Sequence, residues 1–308
     1  MTLTLQDLRG SRKQRNRERT MRIIFQVAAA VSILISLLIL VALVRGSFDF
    51  LRKVGWDFGL FSDTGWFPRR ERFDLRTIFV GSVIMGAVAM LVAVPLGLGT
   101  AIYLSEYAPR RVRKIVKPIV EILAGIPSVI VGFFVLNFIA PDLVNRVFGQ
   151  PEGAKSMLAA GIGIGVLVIP IMAAVSEDAL SAVPGALREA SYGCGARKFN
   201  TVISVVLPAA VSGIVAASII AVSRAIGETM VATMAAGYDG SGPYTGLNPL
   251  NGGLSMTGAM TNAAGGTDNT AGGAAFDVLF VVGLLLFLIT LLLNVVGDRF
   301  VQRVRQKY

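Results

Sequence analysis

The sequence contains 308 residues, of which 54% are hydrophobic, and its mean hydropathy is +0.68. The apolar residues form long blocks, which excludes a soluble globular domain and indicates a protein that crosses a membrane several times. The formal charge of +10 reflects basic residues beside apolar spans, the pattern of the positive-inside rule, so we expect no nucleic-acid binding. Histidine is absent and Cys194 is the single cysteine, which predicts neither an internal disulfide nor a metal site.

Six apolar segments are each long enough to cross a hydrocarbon core of about 30 Å. They are 23–44, 78–104, 115–140, 157–175, 209–236 and 275–296. The first follows a basic tail at 1–22; it is too long for the apolar core of a cleavable signal peptide and no A-x-A site follows before Arg45, so we expect a retained helix. Basic residues favour alternate segments, which predicts that this tail and the carboxyl tail at 297–308 are cytoplasmic.

The two long segments predicted on the outer side differ in composition. Segment 45–77 is rich in aromatic residues, and we expect their rings to lie at the level of the lipid headgroups, a contact with a specific partner being the alternative. These residues are Phe48, Phe50, Trp56, Phe58, Phe61, Trp66 and Phe67. Segment 237–274 is rich in Gly, Asn, Thr and Ser and lacks Lys and Arg, so it has little apolar material with which to fold alone. Docking of a partner is one way to order it.

Small residues and prolines lie inside the predicted spans. The run 159–165 places alanines and glycines four positions apart, which predicts close packing of helices in a bundle. Pro95, Pro127 and Pro170 are expected to kink or interrupt their helices. Broken helices favour a transporter or a channel over a simple membrane anchor.

The segment 177–208 between the fourth and fifth spans predicts a short helix, a turn and a return to the membrane, and its length favours a docking surface. It contains a spaced set of residues: Glu189, Ala190, Ser191, Gly195, Val205, Leu207 and Pro208. The set resembles the EAA loop of ABC-importer permeases, E-A-A, three residues, G, nine residues, I-x-L-P, with Ser191 in place of the second alanine and Val205 in place of isoleucine. The resemblance implies a coupling helix that docks in a groove of a separate ATPase subunit.

No stretch of the sequence matches the phosphate-binding pattern G-x-x-x-x-G-K-[ST]. The resemblance accordingly implies a chain that is not an enzyme and binds no cofactor, with ATP and magnesium used by the partner ATPase. It also implies the fold class: an all-α polytopic membrane protein with six transmembrane helices, of the type I ABC importer permease (MetI-like) architecture. The permease core would cover residues 78–296.

Three further strings narrow the resemblance: 92–109, 120–134 and 223–237. Together they resemble the phosphate-specific permeases of the Pst system, and the basic tail and the aromatic outer segment are more similar to PstC than to PstA. This implies a bacterial inner-membrane protein that forms a phosphate pathway with a PstA-like subunit. Two PstB-like ATPases and a PstS-like phosphate-binding protein would complete the importer.

Two charged residues, Arg224 and Glu228, lie within the predicted span 209–236, four positions apart and thus on one face of a helix. A charge at the centre of a membrane costs about 2.5–3.5 kcal/mol on insertion scales, so both must find partners or water. One interpretation is an ion pair that fixes packing. With the oxyanion cargo that the resemblance implies, the other is a pathway in which Arg224 contacts phosphate and Glu228 restrains it. Nearby hydroxyls could bind a passing anion or the helix backbone: Ser223, Thr229 and Thr233.

Other functions remain open at this point. A permease for another oxyanion, such as molybdate or sulfate, would have a similar EAA loop. An ion-coupled secondary carrier would use Arg224 and Glu228 as a relay and would transport without ATP. A membrane scaffold without transport would leave the two buried charges unexplained.

Overall fold

The computed structural model describes residues 12–55, 65–68, 71–151, 153–237, 247–265 and 273–304, and most of these are helical. In the first half of the chain the helices are α1 (Arg12–Val54), α2 (Leu75–Ile102), α3 (Arg110–Leu123), α4 (Ser128–Phe134), α5 (Arg146–Phe148) and α6 (Met157–Ser181). In the second half they are α7 (Gly185–Gly193), α8 (Lys198–Thr201), α9 (Leu207–Ile226), α10 (Met230–Ala235), α11 (Met256–Gly265) and α12 (Ala274–Val304).

Three π-helical stretches extend or join these helices. The stretch π1 (Tyr103–Tyr107) continues α2, π2 (Val135–Asn145) joins α4 to α5, and π3 (Val202–Val206) joins α8 to α9. A short antiparallel hairpin of β1 (Trp66–Phe67) and β2 (Arg72–Phe73) precedes α2.

Six continuous helical stretches in the described part of the chain are long and apolar enough to cross a membrane. They are Asn16–Val54, Leu75–Tyr107, Ser128–Phe148, Met157–Ser181, Lys198–Ile226 and Ala274–Arg303. This confirms the predicted all-α architecture with six transmembrane helices. The boundaries of the first, third and fifth spans differ from the prediction.

The third span begins later than the predicted 115–140. A turn at 124–127, with Pro127 directly before α4, separates α3 from the apolar stretch Ser128–Phe148. Every residue of α3 keeps some solvent exposure, and its apolar and basic residues lie on different faces. It is therefore an amphipathic helix. Its isoleucines and valines make the segment apolar enough to resemble a membrane span by composition, but their helical spacing places them on one face only.

The first and fifth spans also have corrected ends. Helix α1 continues past Val44 to Val54, because its last turns pack on α12 and bury Phe50. The fifth helix ends at Ile226 rather than near 236, and α10 is a separate short helix. Residues 227–229 between them form a break in the span, so Arg224 and Glu228 do not share one continuous helix.

The main core joins α2, α6, α9, α10 and π2, and consists largely of alanine, valine and methionine. The glycines of α6 allow this close packing, as the prediction of a small-residue bundle requires. A Cβ atom added at Gly161 would lie 2.6 Å from the Val88 Cβ, and one at Gly165 would lie 2.8 Å from the Val92 Cβ. Pro95 and Pro170 lie inside α2 and α6 without interrupting either helix.

A second core lies where α1 ends and α2 and α12 begin, and it corrects the prediction for the aromatic segment 45–77. Phe50, Trp66 and Phe73 are buried there, with the Phe50 and Phe73 rings 5.0 Å apart at an angle of 82°. These rings contact one another instead of lipid headgroups, because the hairpin folds onto the helix ends. Phe48 is exposed, Phe67 is half-buried, and Trp56, Phe58 and Phe61 lie outside the described residues.

The glycine-rich segment 237–274 also folds against the bundle, contrary to the expectation that it has too little apolar material. Leu254, Met256 and Ala259 are buried in the second core. The Met157 N–H donates to the Asn251 carbonyl at 3.0 Å, which places this segment at the start of α6 and therefore at the opposite end from segment 177–208. Residues 238–246 and 266–272 of this segment lie outside the described residues.

Candidate transport site and coupling segment

The break between α9 and α10 lies inside the membrane-spanning region. The last turn of α9 tightens, with Gly227 N–H bonded to the Ser223 carbonyl at 3.2 Å and Glu228 N–H to the Ala225 carbonyl at 3.3 Å. A Cβ atom at Gly86 would contact Ile226 at 3.4 Å. Since Gly86 is about 17 Å from the start of α2 at 1.5 Å per residue, the break lies well inside the bundle.

Arg224 is exposed on the surface of this single chain, although its neighbour Ala225 is buried. Its guanidinium has neither a hydrogen bond nor an ion pair with any residue that the structure describes. An arginine at this depth is too costly to leave in lipid, so its face of α9 must border water or another subunit. This arrangement leaves all the N–H donors of the fork available to a ligand.

Glu228 is buried, with 9% of its surface exposed. Its carboxylate accepts the Met230 N–H at 3.1 Å, and so satisfies an amide at the start of α10. Its backbone carbonyl accepts the hydroxyl of Thr257 at 2.9 Å. Within the described residues Glu228 makes no ion pair with Arg224, so neither the packing pair nor the predicted restraint of Arg224 through a direct contact is present in this conformation.

The three hydroxyls predicted beside the charges bind within the protein. Thr233 donates to the Thr229 carbonyl at 2.7 Å, and Thr229 donates to the Gly227 carbonyl at 3.4 Å. Ser223 donates to the Asn294 side-chain oxygen of α12 at 3.3 Å. For the two threonines the geometry is that of backbone bonding, the alternative left open by the sequence; their assignment to the pathway, like that of Arg224, stays a prediction.

Segment 177–208 folds as the end of α6, then α7, α8 and π3 before the membrane helix α9. Glu189 and Ala190 are exposed on α7, and the Ser191 hydroxyl lies 2.9 Å from the hydroxyl of Thr201. Gly195 has φ +78°, a left-handed conformation that favours glycine, and it turns the chain between α7 and α8. Leu207 begins α9 with Pro208 in its first turn, where a missing N–H is tolerated.

This segment presents apolar side chains to solvent. Tyr192, Phe199 and Ile203 are 43%, 63% and 47% exposed, next to the exposed Glu189. The span Lys198–Ile226 has 29 residues and is about 43 Å long, so its first turns project beyond a hydrocarbon core of about 30 Å. An exposed apolar patch outside the membrane is typical of a protein-docking surface.

Arg188 attaches α7 to the rest of the protein, and the sequence did not single it out. Its guanidinium bonds to both carboxylate oxygens of Glu106 in π1, the shorter contact being 2.7 Å. It also donates to the carbonyls of Leu180 at 2.9 Å and Val183 at 2.7 Å. The end of the second span, the end of the fourth span and the predicted coupling helix therefore meet at one side chain.

A second cluster, also missed from the sequence, attaches α3 to α6. Glu177 is 1% exposed and bonds to Arg113 and, at 2.5 Å, to the Lys117 ammonium. The hydrogen bond to Glu177 raises the pKa of Lys117 above its usual value, against the opposing effect of burial. The i, i+4 spacing of Arg113 and Lys117, with an acid at the end of an apolar span, is the signal from which this contact could be predicted.

No group of three or more His, Cys, Asp or Glu side chains in the described part of the chain could hold a metal ion. The free thiol of Cys194 is exposed at the end of α7.

Residues 93–308 match the family model of the binding-protein-dependent transport system inner membrane component. The chain belongs to this permease family. Its members are components of transport systems rather than enzymes, and the match includes both the helix break and segment 177–208.

Curated relatives of the permease cover most of the chain. It is 30% identical to the phosphate transport system permease protein PstC of Haemophilus influenzae, over 97% of this chain and 98% of that protein. It is 34% identical to PstC 1 of Mycobacterium tuberculosis, over 74% of this chain and 72% of that protein.

A solved structure supports the fold of the permease. A chain of the bacterial alginate ABC transporter, crystallised with an alginate pentasaccharide-bound periplasmic protein, aligns with a TM-score of 0.65. It covers 94% of this chain and 98% of that chain at 16% identity. At this identity the likeness shows a shared ABC importer fold and carries no information about substrate.

Proposed function

We propose that the permease is the PstC-type subunit of an ATP-driven importer of inorganic phosphate in the bacterial inner membrane. The observation that carries the proposal is the identity to PstC of Haemophilus influenzae over nearly the full length of both chains. The chemistry of the helix break agrees with an oxyanion cargo, because an arginine without an acidic partner among the described residues lies at membrane depth beside it.

In this proposal Arg224 provides a transient phosphate contact in the pathway. A guanidinium can offer two parallel N–H donors to phosphate oxygens, and a low-dielectric surrounding strengthens the contact. The buried carboxylate of Glu228 repels an anion that moves too close to the break, which keeps the binding weak enough for release. Ser223, Thr229 and Thr233 lie beside this path, and their hydroxyls can accept or donate when an anion displaces their present bonds.

The exposed face around Arg224 would border a second permease subunit, since one chain leaves the guanidinium at the bundle surface. A PstA-like chain would close the pathway against this face. The patch with Glu189, Ala190 and Tyr192 would dock on a PstB-like ATPase that binds and hydrolyses ATP with magnesium. A PstS-like binding protein would deliver phosphate at the opposite side, next to segment 237–274, with both termini of the permease in the cytoplasm.

The decisive experiment is purification of the permease with the subunits that accompany it, followed by reconstitution into proteoliposomes with the binding protein. Phosphate, sulfate and molybdate are then compared for stimulation of ATP hydrolysis and for uptake. We expect stimulation and uptake with phosphate alone. Stimulation by molybdate or sulfate would identify another oxyanion importer, and uptake driven by an ion gradient without ATP would contradict the proposal.

Docking of the ATPase is tested separately with Glu189→Lys. The reversed charge at the exposed face of α7 is expected to reduce copurification of the ATPase subunit and to abolish uptake. Glu121→Lys, at an exposed acid of α3 outside the docking segment, is the matched control for the same charge reversal and should leave copurification and uptake unchanged. Unchanged copurification and uptake in Glu189→Lys would contradict the docking surface.

A further inference from the structure

Helix α11 folds back into the bundle and contacts the break directly. The Thr257 hydroxyl, in the first turn of α11, donates to the carbonyl of Glu228 at 2.9 Å. Both residues are buried, Thr257 with 6% of its surface exposed. Because α10 begins only at Met230, the Glu228 carbonyl precedes the helical hydrogen bonds of α10, and a hydroxyl from another part of the chain satisfies it.

Two further hydroxyls hold α11 in this position. The Met256 N–H donates to the Ser82 hydroxyl of α2 at 2.8 Å. The Ser255 hydroxyl accepts the Gly258 N–H at 2.9 Å and lies 3.0 Å from the Thr257 hydroxyl. The hydroxyls of α2 and of the start of α11 therefore fix the hydroxyl that reaches the break.

Close backbone contacts allow α11 to sit this deep. A Cβ atom at Gly81 of α2 would overlap the carbonyl of Leu254, and one at Gly258 would lie 3.4 Å from the Thr233 hydroxyl. Ser82 is about 10 Å along α2 from its first residue, so the start of α11 lies about 10 Å inside the bundle, measured from the end where α2 begins. A segment that begins outside the spans thus touches the one place where the fifth span is unwound.

Resting on the proposed function, we propose that α11 is a latch on the helix break, and that Thr257 is a positioning residue that holds Glu228 and thereby the end of α9 that carries Arg224. The other end of the segment, around Asn251 and Gly253, is bonded to the start of α6 and to Ala236. A binding protein that docks on this side of the membrane moves α11, releases the Glu228 carbonyl and opens the break to the anion.

The test uses the assembled transporter with three variants of the permease. Thr257→Val removes the hydroxyl and keeps the shape of the side chain, and Thr257→Ser keeps the hydroxyl. Thr261→Val is the matched control, because the Thr261 hydroxyl lies on the same helix and donates to the carbonyl of Thr257 within that helix. Ser82→Ala is a second test of the same idea, because it removes the hydroxyl that accepts the Met256 N–H and holds α11 against α2, while Thr257 is unchanged.

Two measurements separate the latch from the proposed function. Accessibility of the break is followed without any substrate, by the rate at which a membrane-impermeant maleimide labels Ala232→Cys, a buried position of α10 directly after the break, in a Cys194→Ser background. We expect Thr257→Val to raise this rate about tenfold, the factor that corresponds to loss of one buried hydrogen bond, and Ser82→Ala to raise it less. Coupling is followed as phosphate transported per ATP hydrolysed, which should fall in Thr257→Val and return in Thr257→Ser.

Labelling in Thr257→Val equal to that in Thr261→Val would overturn the latch, whatever the wild-type protein transports. If Thr257→Val does not assemble, unchanged labelling in Ser82→Ala overturns it equally. Failure of the wild-type complex to transport phosphate, with the labelling difference present, would reject the phosphate assignment and keep the latch.

Discussion

Among single residues, Arg224 and Glu228 of the fifth span have different surroundings, because the helix breaks after Ile226 between them. Arg224 ends a helix with its guanidinium on the surface, while Glu228 is buried and caps the next helix through the Met230 N–H. Their spacing of four positions suggests one helical face, but the backbone between them is not a continuous helix. The acid beside the proposed anion path is thus explained by the backbone that it satisfies.

The first prediction concerns Arg224. Arg224→Gln is expected to lower phosphate uptake by roughly tenfold to a hundredfold, because a charge-assisted hydrogen bond contributes about 1.5–3 kcal/mol. Arg224→Lys should retain more uptake, since it keeps the positive charge but loses the paired N–H donors of the guanidinium. Uptake per ATP hydrolysed in proteoliposomes is the measurement, and Arg299→Gln, an exposed arginine of α12, is the control.

Exchange of the two charges tests the same site. We expect the double variant Arg224→Glu with Glu228→Arg to remain inactive, because an arginine at 228 cannot accept the Met230 N–H. Restored uptake in the exchanged protein would show that a mutual ion pair is what matters.

The second prediction concerns Gly195. Gly195→Ala places a Cβ at φ +78°, which costs about 1 kcal/mol although no atom lies within 4 Å of the new methyl group. Gly193→Ala is the control, since its surroundings are equally open and its φ is not positive. Thermal unfolding of the purified complex should detect a lower Tm for Gly195→Ala alone. Equal Tm values would mean that the turn adapts without strain.

At the scale of elements, two ion-pair clusters attach amphipathic helices to the spans. Arg188 joins α7 to π1 and to the end of α6, and Glu177 joins α6 to α3. Each cluster lies where a helix leaves the membrane, so we expect movement of the predicted coupling helix to reach the second and fourth spans through these ion pairs. The exposed apolar patch of segment 177–208 therefore has a rigid connection to the core.

The third prediction concerns this connection. Arg188→Ala leaves the nearly buried Glu106 carboxylate without its cation, which is expected to cost roughly 3 kcal/mol. We expect ATP hydrolysis to become independent of the binding protein while uptake falls. Arg197→Ala, an exposed arginine that follows the turn, should leave both rates near wild type. Wild-type coupling in Arg188→Ala would show that α7 is positioned by its partner instead.

The fourth prediction is a pH dependence at α3. The raised pKa of Lys117 means that its contact with Glu177 stabilises the protein fully below the usual lysine value of 10.5 and is lost only as pH rises through the higher folded value. The difference in Tm between wild type and Lys117→Met should thus be constant from about pH 6 to 9 and shrink above about pH 10.5. A difference that shrinks already near pH 8 would contradict the assignment.

At the scale of the whole molecule, the bundle has a small-residue core and a separate aromatic core at one end. The break lies between α2, α6 and α11, and segment 177–208 lies at the end opposite the aromatic core. This arrangement puts the proposed entry of the anion and the proposed ATPase contact on opposite sides of one membrane.

The fifth prediction tests that orientation with the exposed thiol of Cys194, the only cysteine of the chain. A membrane-impermeant maleimide should label it in inside-out vesicles and not in intact spheroplasts. Bound ATPase subunit should slow the labelling, because Cys194 lies at the end of α7. Labelling from the outer side would reverse the proposed orientation of the termini.

The membrane class and the number of spans follow from the sequence and are confirmed by the structure, while the EAA-type segment stays a prediction from its spaced motif. Long apolar runs are costly anywhere except in lipid or a large core. A motif with fixed spacing can be recognised from the local sequence, because it does not depend on contacts between distant residues. The glycines at 161 and 165 likewise predict close packing of helices, because the absence of a side chain lets two backbones approach each other.

Tertiary structure decided the rest. Thr257 and Ser82 have no neighbours in sequence that mark them, and only the return of α11 brings them to the break. The apolar run of the sequence continues on both sides of residues 227–229, so composition does not mark the break. The break is stabilised because the Glu228 carboxylate accepts the Met230 N–H and the Glu228 carbonyl accepts the Thr257 hydroxyl. The composition of the aromatic segment predicts a membrane-surface location, but its rings are buried by partners from α1, α2 and α12, which local composition does not reveal. Contacts between residues far apart in the chain, rather than local composition, determine where a helix breaks and which aromatic rings are buried.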